Sequence, residues 1–229
     1  MKFLRFILFF FATQLIYLGL PLLGWGLGDF GGFFSSTPRL GYALVVGLFS
    51  LAVGIQAYTS TQGIRGGKGE ESKFVFRQRI VRIVLVLSLY IALFIIPFFD
   101  RHGILVFGEG SFVHYLGLAL SALGFTLVYE SGVALGKQYS PDVTIQAGHQ
   151  LITNGVYHYI RHPRYLGVIA LSIGISCLFR SWLGLIATVF FLAILLYRIK
   201  DEEAVLHKEF DGEWEAYCKR SWRLIPYIY

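Results

Sequence analysis

Charge is scarce in this chain. Charged residues make up 15% of it, against about a quarter in ordinary soluble domains, while hydrophobic residues make up 55%. The shortage is concentrated in long apolar runs, a pattern that fits neither a soluble globule nor a disordered chain. Cysteine is nearly absent: Cys177 and Cys218 alone make neither a disulfide framework nor a zinc set. Acids are the rarer charge, which leaves a net +6. In a soluble protein that surplus would suggest nucleic acid. Here the basic residues flank apolar runs, so membrane topology explains them and no nucleic-acid partner is expected.

What the sequence does have is membrane-length apolar stretches. A span takes about 20 mostly apolar residues. Residues 3–23, 40–58, 83–99 and 112–135 qualify. The first lacks the small-residue cleavage site of a removed signal and reads as a retained helix. Residues 165–179 and 182–197 are shorter, with Arg180-Ser181 between them, and predict a tight helical hairpin that crosses and returns. The expected fold is all-α: a polytopic integral membrane protein of about six transmembrane helices, forming one membrane domain over residues 1–229. Residues 1–135 supply four N-terminal spans. Residues 136–229, including the 165–197 hairpin, supply the functional region.

Orientation follows from Lys and Arg. With the N-terminus inside, only Arg39, Arg101 and Arg180 of the 20 basic residues fall outside. That bias predicts both termini in the cytoplasm. Segments 136–164 and 198–229 then return to the same face, where two distant stretches can build one site.

Several short patterns have plain structural explanations. Gly26-x-Gly28-x-x-Gly31 follows a membrane helix rather than a strand, so it reads as a flexible loop and not a dinucleotide fingerprint. Gly117-x-x-x-Ser121 and Gly132-x-x-x-Gly136 are small-residue patterns that let a neighbouring helix approach. The glycine-rich run from Arg65 to Lys73 reads as a topology signal beside anionic lipid. His158 and His162 stand four apart, but Pro163 disturbs helix continuation and no third ligand is near in sequence, so no metal is expected.

The stretch from His149 to Gly167 gathers polar, aromatic and turn-forming residues at a membrane boundary. Asn154-Gly155 marks a turn. Pro163 sets the start of span five, which puts Arg161 and His162 near that helix's positive end, a place to hold an anionic group. Past span six come Arg198, Asp201, Glu202 and Glu203. Arg198 and Glu202 are one helical turn apart in the less favourable order for an ion pair, which weakens a purely structural reading. Val205, Leu206, Phe210, Trp214 and Tyr217 predict a cytoplasmic amphipathic helix over 204–217, placed to anchor or to roof the site.

Gly-x-Tyr-x-x-x-Arg-His-Pro-x-Tyr-x-Gly, then Arg-x-x-x-Glu-Glu and a final Arg-Leu-Ile-Pro, resembles the isoprenylcysteine carboxyl methyltransferases and their phospholipid N-methyltransferase relatives. The resemblance covers roughly residues 135–227; the first four spans match only in hydropathy. It implies S-adenosylmethionine as cofactor, bound on the cytoplasmic side. His149, Gln150, Leu151, Ile152, Tyr157, His162, Pro163, Arg164 and Tyr165 would line its pocket. Glu202 would contact it, Leu224, Ile225 and Pro226 would close its adenine end, and Arg198 would face the substrate. Arg198 and Glu202 are thus the expected catalytic pair. The acceptor would be lipophilic and resident in the bilayer, an isoprenylcysteine-type carboxylate being the nearest precedent, with a phospholipid amine or a small thiol as alternatives. The tail from Asp201 to Tyr229 is also similar to the end of membrane sterol C14 reductases, which bind NADPH. The sequence does not specify an oligomeric state.

Overall fold

The computed structural model describes residues 1–59, 73–108, 110–136 and 150–229. Arg65, Lys68, Lys137 and His149 lie outside the described residues. Secondary structure among the described residues is helical apart from two isolated bridges. Helices α1 (Lys2–Gln14) and α2 (Leu20–Trp25) are joined by a π turn at Leu15–Gly19, and α3 (Phe30–Phe34) is short. The long helices are α4 (Thr37–Thr59), α5 (Lys73–Arg101) and α6 (Ser111–Leu135), followed by α7 (Pro163–Leu178) and α8 (Trp182–Cys218). Among the described residues, five helical stretches are long and apolar enough to cross a membrane: Lys2–Trp25, Thr37–Thr59, Arg77–Arg101, Ser111–Leu135 and Trp182–Cys218. With the shorter α7 they correspond to the six expected spans, and the chain is a multi-pass integral membrane protein.

Inside a bilayer every backbone polar group needs a protein partner. Pro21 has no N–H, so the Tyr17 carbonyl loses its helical donor four residues on. A π turn forms there, and the Tyr42 hydroxyl, arriving from α4, donates to that carbonyl at 2.7 Å. One proline thereby ties the first span to the second.

Helices α6 and α7 touch backbone to backbone. A Cβ on Gly117 would lie 2.3 Å from the Leu178 nitrogen, and one on Gly124 would lie 2.6 Å from the Leu171 nitrogen. Gly174 faces Ser121 just as closely. The Gly117/Ser121 pattern therefore does what its spacing predicts. Gly132 and Gly136 make no such close approach, since a Cβ on Gly132 would meet the Arg164 side chain of α7 at 3.9 Å and one on Gly136 would meet no described residue within 4 Å. Gly117→Leu should destabilise the fold by more than the roughly 1–3 kcal/mol of ordinary overpacking, because the obstacle is backbone. Thermal melting in detergent reads this out, with Gly132→Leu as a near-neutral control.

At the end of the bundle away from residues 198–229, the three basic residues expected outside all meet acids. Asp100, its side chain 1% exposed, takes Arg180 at 2.8 Å and Arg39 at 3.5 Å, while Arg101 pairs with Asp29 at 3.7 Å. The turn between α7 and α8 is pinned here. Ser181 caps α8 by accepting from the Gly184 N–H at 3.1 Å, and Arg180 takes φ 47°.

The last span corrects one expectation. Helix α8 runs without interruption past Tyr197, and its break comes at Asp211 (φ 38°, ψ −112°), so 204–217 is not a separate amphipathic helix. Asp211-Gly212 is a turn pair, and the turn outweighed the apolar spacing. After the break Trp214 and Tyr217 fold back and are buried.

Candidate functional site

Two distant segments meet where α7 begins. Gly155, at φ 59°, turns the chain into a short 3-10 turn at Gly155–His158. His162 is the cap residue of α7 and Pro163 its first residue, a position where the missing N–H costs nothing. Between these points the chain pairs with the C-terminal tail. The Arg161 N–H donates to the Trp222 carbonyl at 2.8 Å, the His162 N–H to Arg223 at 3.1 Å, and the Trp222 N–H to Tyr159 at 2.9 Å.

Glu203 locks this junction. Its Oε1 accepts from Arg161 Nε at 3.1 Å and lies 3.3 Å from His162 Nε2, while its Oε2 pairs with Arg223 at 2.7 Å. Arg161 also donates to the carbonyls of Cys218 and Ser221, and its guanidinium lies 6.0 Å from the Trp214 ring. Arg161 is therefore not waiting for a ligand: the anion at the positive end of α7 is the protein's own Glu203. Burial alone would lower the basicity of Arg223. The hydrogen bonds with Glu203 and Tyr229 outweigh it and hold the guanidinium above its ordinary value.

Glu202, next along α8, points elsewhere. Its side chain is 34% exposed against 11% for Glu203. The Tyr165 hydroxyl donates to Glu202 at 2.8 Å and receives Arg198 Nε at 3.5 Å. The expected Arg198–Glu202 pair is thus joined through the phenol of another helix. Arg198 is buried and also donates to the Gln78 carbonyl at 3.0 Å. Asp201 accepts from Gln78 and from Arg77, the latter at 2.9 Å, which draws α5 onto the same end of α8. The His162 and Tyr165 rings stack with centroids 5.5 Å apart.

The other expected site residues fall around this cluster. Tyr157 is buried, and its carbonyl accepts from the Tyr217 hydroxyl at 2.6 Å; Trp214 and Tyr217 thus roof the junction. Arg164 is half-buried on the first turn of α7. Gln150 is exposed and Leu151 and Ile152 are half-buried on the segment leading in. Leu224 is buried with Ile169, Leu195 and Ile199; Pro226 is half-buried and Ile225 exposed. A separate surface cluster, His207, Asp211 and Glu215, is gathered by the α8 break, with His207 Nε2 and Glu215 Oε1 3.6 Å apart and both side chains exposed.

The sequence reading passed over Gln78, and it gave no role to Glu203 or Arg223. The arginines of Arg-His-Pro and Arg-Leu-Ile-Pro each lacked a partner in sequence, and the second acid of Glu-Glu lacked a task. That coincidence was the available signal. Nothing in the sequence pointed to Gln78.

Comparisons with known proteins place part of this chain beside a known family. Residues 117–208 match the Isoprenylcysteine carboxyl methyltransferase (ICMT) family. A probable protein-S-isoprenylcysteine O-methyltransferase of Oryza sativa subsp. indica is 30% identical over 120 residues, 51% of this chain and 63% of that protein. A Delta(14)-sterol reductase of Mus musculus is 37% identical over 86 residues, 36% of this chain but 20% of that protein. The chain thus spans less than two thirds of the length of either relative. The solved structure of a eukaryotic intramembrane Ras methyltransferase, ICMT, superimposes with a TM-score of 0.53 at 18% identity, over 99% of this chain and 84% of that one, so the fold is shared from end to end. The family match thus falls on residues 117–208, the stretch that carries Arg161, His162, Tyr165, Arg198, Glu202 and Glu203.

Proposed function

We propose that this protein transfers a methyl group from S-adenosylmethionine to a lipophilic, membrane-resident carboxylate of the isoprenylcysteine type. The observation that carries the reading is the Arg198–Tyr165–Glu202 chain, which sets a buried cation and a half-exposed carboxylate on either side of one phenol where the apolar bundle ends. The residues fit such a donor: the Glu202 carboxylate beside the stacked His162 and Tyr165 rings makes an anionic, aromatic wall suited to a sulfonium cation. When bound, S-adenosylmethionine supplies an electrophilic methyl group.

The chain's own residues supply position and charge. Arg198, fixed by Gln78 and Tyr165, holds the acceptor carboxylate. That carboxylate is already ionised at neutral pH, so no base is needed. With the donor bound, the carboxylate oxygen would form the new C–O bond to the methyl group as the C–S bond breaks with its electron pair going to sulfur, giving a methyl ester and S-adenosylhomocysteine. Holding both reactants in line supplies much of the rate. The Glu203 lock keeps the tail folded over the site. The basic residues gathered at this end favour a site facing the cytoplasm, with both termini on that side.

The sterol-reductase similarity supports a second reading, NADPH-dependent reduction. Purified protein in nanodiscs, given S-adenosylmethionine labelled at the methyl and N-acetyl-S-farnesylcysteine, should yield a base-labile labelled ester. Absence of ester, with NADPH oxidised in the presence of a sterol diene, would replace the first reading with the second.

A further inference from the structure

Building on the methyl-transfer reading, we infer that Gln78 and Asp201 are positioning residues for the acceptor: together they aim the Arg198 guanidinium at the acceptor's carboxylate and leave the donor side to other groups. Gln78 is fully buried on α5, and it meets α8 at two points. Its backbone carbonyl accepts from Arg198 Nη1 at 3.0 Å, and its side-chain amide donates to the Asp201 carboxylate. Arg198 and Asp201 stand three residues apart, about one helical turn. A single contact between two helices leaves either free to roll about it; two contacts one turn apart do not. The roll of α8 against α5 decides where the guanidinium points, and a planar fork can make two parallel bonds to a carboxylate only when it is aimed. Tyr165 of α7 adds a third contact, 3.5 Å from Arg198 Nε.

Stability does not account for this arrangement. Gln78 Oε1 is buried with no hydrogen-bond partner, so the amide is only half satisfied. An apolar side chain of the same length would give up one hydrogen bond to a carboxylate and relieve one stranded acceptor, two changes of similar size and opposite sign. The Arg77–Asp201 ion pair, at 2.9 Å, is no substitute: the Arg77 side chain is 53% exposed, and exposed pairs hold little. What the amide supplies is direction. It ties the turn of α8 that carries Arg198 to the same α5 backbone that Arg198 grips. The donor side has its own fixings, Glu202 through Tyr165 and Glu203 through Arg161 and Arg223.

The test uses full-length protein in nanodiscs and compares binding of N-acetyl-S-farnesylcysteine with binding of its methyl ester, which differs only at the head that Arg198 would hold. Wild type should bind the acid more tightly than the ester. Gln78→Met should reduce that preference about tenfold, the value of one charge-assisted hydrogen bond, and raise the acceptor KM alike. Ester binding, S-adenosylhomocysteine affinity and melting temperature should stay unchanged. Asp201→Leu should lower the preference to the same degree, and Asp201→Asn, which keeps an oxygen for the Gln78 amide, should recover most of the loss. In an Arg198→Ala background Gln78→Met should cost nothing further. An acid preference unchanged in both Gln78→Met and Asp201→Leu would overturn the inference, as would an added loss in the Arg198→Ala background. An equal fall in acid, ester and S-adenosylhomocysteine binding would also overturn it, since that pattern marks a merely structural role. The binding measurements do not require methyl to move. A wild type that prefers the acid, loses the preference with Gln78→Met and transfers no methyl would reject the methyl-transfer reading and keep the positioning pair; a wild type with no acid preference would reject the pair even if methyl moves.

Discussion

Arg198→Ala should lower methyl transfer by about a hundred- to a thousandfold, the range seen when one electrostatic contact to the reacting group is removed, and Arg198→Lys should not restore it. Arg198 is buried and is the cation that Tyr165 links to Glu202. A guanidinium can hold Gln78 and Tyr165 and still present a planar fork to a carboxylate; an ammonium is a single point of charge and cannot do all three. The loss should fall on kcat and on acceptor KM together, with affinity for S-adenosylhomocysteine retained. Removing the side chain also deletes the charge-assisted hydrogen bond to the Gln78 carbonyl, worth about 1.5–3 kcal/mol, so a modest drop in melting temperature should accompany the loss. Full activity in Arg198→Ala would remove its assigned role.

Glu203→Ala should have the largest effect on stability, about 3–5 kcal/mol, because a mostly buried anion is removed while its cationic partners stay. Arg161 and Arg223 would face each other and His162 across an empty place. The Arg161–Trp222 and His162–Arg223 backbone pairings depend on that junction, so the tail should loosen. The expected readouts are a lowered melting temperature and faster proteolysis after Cys218. S-adenosylhomocysteine binding should weaken as the tail loosens. Glu203→Gln, which keeps the shape and one acceptor oxygen, should lie between wild type and alanine. A Glu203→Ala protein with wild-type melting would show that the junction is held by something else.

The spans were legible because apolar length is a one-dimensional signal, and the return of two segments to one membrane face followed from counting crossings. The partnerships inside the site were not legible. Arg198 and Glu202 stood one turn apart, and helix geometry alone gives such a pair no mediator. Tyr165 reaches them from α7, a contact that no periodicity encodes. Arg161 was read as open to an anionic ligand because its partner, Glu203, lies 42 residues away in sequence. The contact of Gln78 with Asp201 spans 123 residues and depends on how α5 leans against α8. The break at Asp211 is the opposite case: the Asp-Gly pair was visible, and the apolar spacing on either side of it pointed to a continuous helix.

The most direct measurement is titration calorimetry of the purified protein with S-adenosylhomocysteine and, separately, with NADPH. If residues 150–165 and 198–226 build one pocket for a sulfonium donor, S-adenosylhomocysteine will bind one site per chain, Glu202→Ala will weaken it, and NADPH will give no heat. Saturable NADPH binding with none for S-adenosylhomocysteine would contradict the methyl-transfer assignment outright.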